Sequence, residues 1–157
     1  MAARGTDTDQ TPDSADAPEA EGYVLDKQVG FLLRNAYQRH QMIFAEQMTV
    51  GLTAMQFSML FRLIQRQDPI SQNALGRLVA MDAATTKGVV SRLQAQGLIT
   101  TARDPDDKRR YMLRSTQKGR DLLARALPMA IGISEATLAP LTRREKDTLL
   151  RLLTKIC

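Results

Sequence analysis

From Tyr23 to about Met48 the large side chains fall at three- and four-residue steps: Leu25, Val29, Leu32, Leu33, Ala36, His40, Ile43, Phe44 and Met48. That period lines one side of a helix, and Gly51 stops it. A second helix is predicted over "LTAMQFSMLFRLIQRQ", with Phe57, Leu60, Phe61 and Ile64 as its apolar stripe. Thr53 and Gln56 have capping-box spacing at its start, and Pro69 ends it by disfavouring a helical Asp68. Two short helices follow. Ser71 caps "SQNALGRLVAM". Asp82 caps "AATTKGVVSRLQAQ", which Gly97 ends. Their joint, Ala80-Met81-Asp82, lacks the usual glycine, yet the pair reads as a helix-turn-helix.

The period then drops to two. "GLITTARD" and "RRYMLRST" read as strands around the charged turn "PDDK", with Ile99 alternating against Leu98 and Thr100, and Met112 against Tyr111 and Leu113. Residues 117–141 return to a helical pattern that Pro128 should kink or interrupt. The last helix opens on a second capping box, Thr142 and Glu145. Its Leu149, Leu150, Leu152, Leu153 and Ile156 make a surface too wide for one helix to leave uncovered. The predicted fold is mainly α with a small two-stranded β-wing: a winged helix-turn-helix between N- and C-terminal helices.

Charge sharpens this picture. Residues 1–22 carry six acids and one base and almost no large apolar groups, so they are expected to be disordered. Removing them from 22 bases and 17 acids leaves 21 against 11, an excess of ten positive charges on residues 23–157. An acidic tail on so basic a body points to a polyanion such as nucleic acid. No run of about 18 apolar residues is present, so no membrane span is expected. The N-terminus has no apolar core and is not a secretory signal, which makes a cytoplasmic location the default. Cys157 and His40, the sole residues of their types, cannot make a structural metal site of about four ligands. No nucleophile–base pair, G-x-S-x-G, P-loop or H-E-x-x-H motif occurs. Neither enzyme chemistry nor a cofactor is expected.

The turn of mixed charge has two readings. Its charges can compensate one another in water, each pair contributing roughly 0–1 kcal/mol. Alternatively, Arg109 at the tip of a narrow hairpin enters a minor groove, where the potential is negative. Asp107, two residues away on the same face, would then orient the guanidinium, and Lys108 and Arg110 would add phosphate attraction. A preceding helix-turn-helix favours the second. In the helix after Asp82, Val89, Val90 and Leu93 should face the core, with Thr86 half-buried beside them. Ala84, Thr85, Lys87, Gly88 and Ser91 then face outward near the N-terminus, the part of such helices that meets base edges. Gly88 either permits close backbone approach or forgoes a contact. Arg77 and Arg92, with Ser71 and Gln72, are candidate phosphate contacts.

The order of elements resembles the MarR family of bacterial transcription regulators. The likeness is most specific at the wing, where the family pattern D-P-x-D-x-R stands as Asp104-Pro105-Asp106-Asp107-Lys108-Arg109, followed by Thr116-Gln117-Lys118-Gly119. It implies the same roles for Asp107 and Arg109. It also implies homodimerisation through residues 23–50 and 117–157, around a DNA-binding domain at 51–116. Ser115 stands where the family usually has leucine, which predicts a looser base for the wing. The resemblance further implies a cleft for small aromatic carboxylates between the dimerisation helices and the DNA-binding lobe. Phe31, Asn35, Tyr37, His40, Met55 and Met59 suit its walls by type, and Arg34 or Arg39 could neutralise a carboxylate. "GFLLRNAYQRHQ" resembles the branch that regulates nicotinate degradation, which implies a hydroxylated pyridine carboxylate. His40 is open to a second reading, as a satisfied core residue. The thiol sensors of the family carry a cysteine near the first helix, and none stands there.

The expected activity is therefore repression at a pseudo-palindromic operator in double-stranded DNA, relieved by a small aromatic effector. An architectural protein that binds nucleic acid without sequence preference is the alternative.

Overall fold

The computed structural model describes residues 22–66, 68–104 and 111–157. The expected disorder of the tail falls outside these residues, apart from Gly22. So does the wing tip, with Asp107, Lys108, Arg109 and Arg110.

The first helix is shorter than its apolar pattern. A 3-10 turn, Leu25–Lys27, precedes helix α1, Val29–Gln47. The break is at Gln28, whose backbone is extended and whose side-chain amide donates to the Val24 carbonyl at 3.1 Å. Helix α2, Ala54–Arg66, starts on its capping box: Thr53 N–H donates to Gln56 Oε1 at 2.9 Å, and Gln56 N–H to Thr53 Oγ1 at 3.2 Å. The buried side of α2 is Gln56, Met59, Leu60 and Leu63, so the expected stripe is rotated by about a residue. Phe57, Phe61 and Ile64 are half-buried at its edge. There Phe57 stacks on Phe61 and meets Phe44 edge-on, with centroids 6.1 and 6.2 Å apart.

Strand β1, Ile70–Ser71, leads into helix α3, Gln72–Leu78, and helix α4, Ala83–Ala95, completes the helix-turn-helix. Both caps form. Ser71 Oγ accepts from Ala74 N–H at 3.3 Å and Asp82 Oδ1 from Thr85 N–H at 2.9 Å. The turn manages without glycine by placing Ala80 in the left-handed region, φ 52°. The close approach that glycine usually allows falls instead at Gly76 in α3, where an added Cβ would sit 2.5 Å from Thr86 Oγ1. Thr86 is therefore fully buried rather than half-buried. Left-handed backbone costs an L-residue roughly 1–2 kcal/mol, of which glycine's extra chain entropy cancels part. Ala80→Gly should raise stability by roughly 0.5–1 kcal/mol in urea unfolding. A lower midpoint would show that the turn carries no strain.

Strands β2, Ile99–Arg103, and β3, Tyr111–Ser115, pair antiparallel from Ile99 opposite Ser115 to Arg103 opposite Tyr111. β1 adds to the other edge of β3, with Ile70 opposite Leu113, so the sheet has three strands in the order β1-β3-β2 rather than two. A two-residue strand whose second residue is also a helix cap leaves no alternation to read. Leu98 and Ile99 are both buried because Leu98 lies in the turn after Gly97 (φ 69°), outside the ladder.

The base of the wing is closed by polar groups. Thr116 Oγ1 accepts from Gly119 N–H at 3.0 Å, and its own proton lies within reach of the Gly97 and Leu98 carbonyls at 2.8 and 3.1 Å. The Ser115 carbonyl and hydroxyl both accept from the Arg120 guanidinium at 3.2 Å. Arg120 thus ties the end of β3 to the first turn of α5. Helix α5, Gln117–Thr137, runs unbroken through Pro128. The carbonyl of Ala124, which proline leaves without its helical donor, belongs to an exposed residue, so water can serve it.

Met59, Leu60, Leu75, Val89, Leu93, Leu98, Leu113 and Ile133 form the centre of the core. Helix α6, Arg143–Ile156, contributes nothing to it: none of its residues is buried. Leu149, Leu150, Leu152 and Ile156 face outward, as do Val29, Leu32, Leu33 and Tyr37 of α1. A 14-residue helix is marginal in water by itself. Among the described residues, no helix is long and apolar enough to cross a membrane.

Candidate functional site

Two regions bring the candidate residues together. The first is the outer face of α4. Thr86, Val89, Val90 and Leu93 are buried against the lobe, which leaves Ala84, Lys87 and Ser91 exposed in a stripe at three- and four-residue steps. Gly88 is half-buried, yet a Cβ there would meet nothing within 4 Å.

Thr85 is half-buried and partly engaged. Its hydroxyl donates to Asp82 Oδ2 at 2.6 Å while its N–H donates to Oδ1. These bonds, the hydroxyl's foremost, hold the Asp82 carboxyl below the usual carboxylate range. With its proton committed, Thr85 Oγ1 can offer only lone pairs outward, beside its methyl group. That suits an amino donor of adenine or cytosine, or the methyl of thymine. Arg77 and Arg92 are exposed in the last turns of α3 and α4. Ser71 and Gln72 are half-buried, and the Ser71 hydroxyl is occupied as a cap.

At the described end of the wing the Arg103 guanidinium lies 5.9 Å from the Tyr111 ring centroid. Arg103 carries a cation to the base of the tip and did not stand out in the sequence. Its pairing with Tyr111 depends on strand register, which no local motif reveals.

The second region is a cleft of about 250 Å³ lined by Tyr37, His40 and Gln41 of α1, Ala54, Met55 and Ser58 of α2, and Val79, Ala80 and Met81 of the helix-turn-helix joint. Tyr37, His40 and Met55 are the expected wall residues found there. Met59 is not: one turn on from Met55, it points inward and is fully buried in the core. Phe31, Arg34, Asn35 and Arg39 also lie off these walls. The Arg34 guanidinium sits over the Phe31 ring at 5.3 Å, and Arg39 donates to the Ala136 carbonyl at 3.3 Å. Gln41 and Ser58 follow Tyr37 and Met55 by one helical turn, a spacing that could have found them. Val79, Ala80 and Met81 come from a distant part of the chain and could not be found so.

His40 is half-buried, which lies between its two readings. Its Nδ1 is 3.0 Å from Thr137 Oγ1, and its ring meets Phe44 edge-on at 6.1 Å. Among the described residues, no group of three or more His, Cys, Asp or Glu side chains could hold a metal ion.

Comparison with known proteins agrees with this geometry. The sequence profile of the MarR family matches residues 50–110. The HTH-type transcriptional repressor NicR of Pseudomonas putida is 40% identical over 147 residues, 93% of this chain and 92% of its own. A probable transcriptional regulator from Pseudomonas aeruginosa superposes with a TM-score of 0.81 at 46% identity, over 85% of this chain and all of the other. BpsR of Bordetella bronchiseptica, whose DNA binding is regulated by 6-hydroxynicotinic acid, superposes with a TM-score of 0.79 at 36% identity, over 85% and 96%. With its helix-turn-helix, its wing and near-full-length likeness to a named repressor, this chain belongs to the MarR family of transcription regulators.

Proposed function

We propose that the protein is a homodimeric repressor that binds a pseudo-palindromic operator in double-stranded DNA and leaves it when a small aromatic carboxylate, such as a hydroxynicotinate, fills the cleft. The observation that carries this reading is the exposed stripe Ala84, Lys87 and Ser91 on a helix whose opposite side is locked into the core, in a chain so similar to NicR.

Lys87 offers a charge to phosphate or guanine, and Thr85 an acceptor to a base amino group. Arg77 and Arg92 fix position on the backbone. Asp107 and Arg109 carry the wing into the minor groove of an A·T-rich flank. Two copies joined through α1, α5 and α6 would set their α4 helices about one DNA turn apart, roughly 34–36 Å. The cleft touches α1, α2 and the joint before α4 at once. A ligand seated there can favour one arrangement of the lobes over the other, which is the sole means by which it can shift the equilibrium.

The test is competition between bulk DNA and a pseudo-palindromic duplex recovered by selection from random sequence, at fixed salt. The duplex should win by about 10³-fold or more, and 6-hydroxynicotinic acid should weaken that preference. Equal affinity for both DNAs would identify a non-specific nucleic-acid binder instead.

A further inference from the structure

At the wall of the cleft a carbonyl, a hydroxyl and an imidazole lie in one hydrogen-bonded chain, Ile133–Thr137–His40. Thr137, the last residue of α5, donates its one hydroxyl proton to the Ile133 carbonyl at 2.8 Å. Its oxygen can then only accept from His40 Nδ1, 3.0 Å away. A neutral His40 therefore carries its proton on Nδ1, and Nε2, on the other edge of the ring, is left as an acceptor. No described side chain or backbone group bonds to Nε2, and His40 lines the cleft.

The other polar side chains of the walls are those of Tyr37, Gln41 and Ser58, with no cation among them. All three can rotate to donate or accept. His40 alone is held to one role.

We infer that His40 Nε2 is the cleft's fixed hydrogen-bond acceptor, set by Thr137, and that it selects aromatic effectors carrying a donor on the ring: a hydroxyl, or the N–H of the corresponding lactam. This rests on the effector reading above and adds the chemistry by which one pyridine carboxylate is told from another. A ring with only an acceptor at that position leaves two lone pairs facing each other. Sites built around such a hydrogen bond reject the analogue lacking it far more strongly than apolar pockets reject a missing methylene. Thr137 is a positioning residue here, since it reaches the ligand only through His40.

His40 is the chain's single histidine, so selective 15N-histidine labelling reports this ring alone. In the ligand-free protein at alkaline pH, the long-range 1H–15N spectrum should show Nδ1 protonated and Nε2 bare. Nε2 protonated instead would overturn the inference whether or not any acid binds. Titration should show 6-hydroxynicotinic acid binding the wild type at least tenfold more tightly than nicotinic acid, with a shift at Nε2. Thr137→Val frees the tautomer and should reduce that ratio about tenfold. Thr137→Ser keeps both bonds and should restore it. An unchanged ratio in a folded Thr137→Val would overturn the inference; if that variant does not fold, the wild-type spectrum and ratio decide. Binding of both acids without discrimination sinks the selectivity and leaves the effector reading intact. Binding of neither sinks both.

Discussion

Replacing Leu149 and Leu152 with glutamate should yield a folded monomer that binds a full operator about 10²–10⁴-fold more weakly than the wild type. The two leucines are 36% and 47% exposed on a helix with no buried residue. With Ile156 and the half-buried Leu153 they form a stripe at i, i+3, i+4 and i+7. An uncovered stripe of that kind is favourable only when another apolar surface removes it from water, and the exposed residues of α1 offer more of the same. Charge on the stripe opposes the association without touching the core, to which α6 contributes no buried residue. The loss follows from geometry. A dimer holding one half-site presents its second lobe to the other at high effective concentration, and a monomer does not. Affinity for an isolated half-site should change little. Sedimentation and titration of full and half operators check both parts. A variant that stays dimeric, or a monomer with full affinity, would remove α6 from the account.

Gly119→Ala should destabilise the chain by about 3 kcal/mol, near the upper end of what overpacking a core costs. The new Cβ would collide with the Leu98 carbonyl oxygen and come within 3.1 Å of its carbon, with the Leu60 side chain 3.4 Å away. A carbonyl cannot rotate aside as a side chain can, and this one is tied in place. It accepts from Thr116 N–H at 3.1 Å and lies within reach of the Thr116 hydroxyl, whose oxygen in turn caps α5 at Gly119 N–H. Relief would have to separate the start of α5 from the base of the wing.

The same substitution at Gly88 should have the opposite sign. Its Cβ meets open space, and alanine in a helix is worth about 1 kcal/mol over glycine. Urea midpoints of the two variants, moving in opposite directions, are the expected result. Operator affinity then separates the two readings of Gly88. A stabilised Gly88→Ala that binds poorly needs the close backbone approach; one that binds normally had merely forgone a contact. A Gly119→Ala as stable as wild type would show that the joint gives way easily.

What could be read from the sequence was largely local. Ser71, Asp82 and the two capping boxes involve residues three apart, so their spacing alone locates them. Val89, Val90 and Leu93 follow from helical period. The misreadings come from packing that sequence neighbours do not announce. Gln56 is buried because its amide both closes the α2 cap and reaches Gln96 at the end of α4, 3.5 Å away. With Gln56 on the inner face of α2, Met59 lies in the core and Phe57 at the edge. β1 exists because β3 offers it a free edge, and Pro128 is tolerated because the carbonyl it deprives can reach water. The cleft was half legible: α1 and α2 supply walls at helical spacing, while the joint at 79–81 arrives only through the tertiary fold.

The ends of α5 give that helix a mechanical role. At one end, Thr116 holds the Leu98 carbonyl and caps Gly119 N–H, and Lys118 Nζ donates to the Gln96 carbonyl at the close of α4, 2.8 Å away. At the other, Ala136 and Thr137 receive Arg39 and His40. Between them runs an unbroken rod of 21 residues, roughly 31 Å at 1.5 Å per residue. A tilt of about 5° about one end carries the other through roughly 2.7 Å, a large fraction of a hydrogen bond's reach. If the effector proposed above tilts α5, the displacement is largest at the far end of the helix, where Lys118 meets the close of α4, and the helix itself can carry it there.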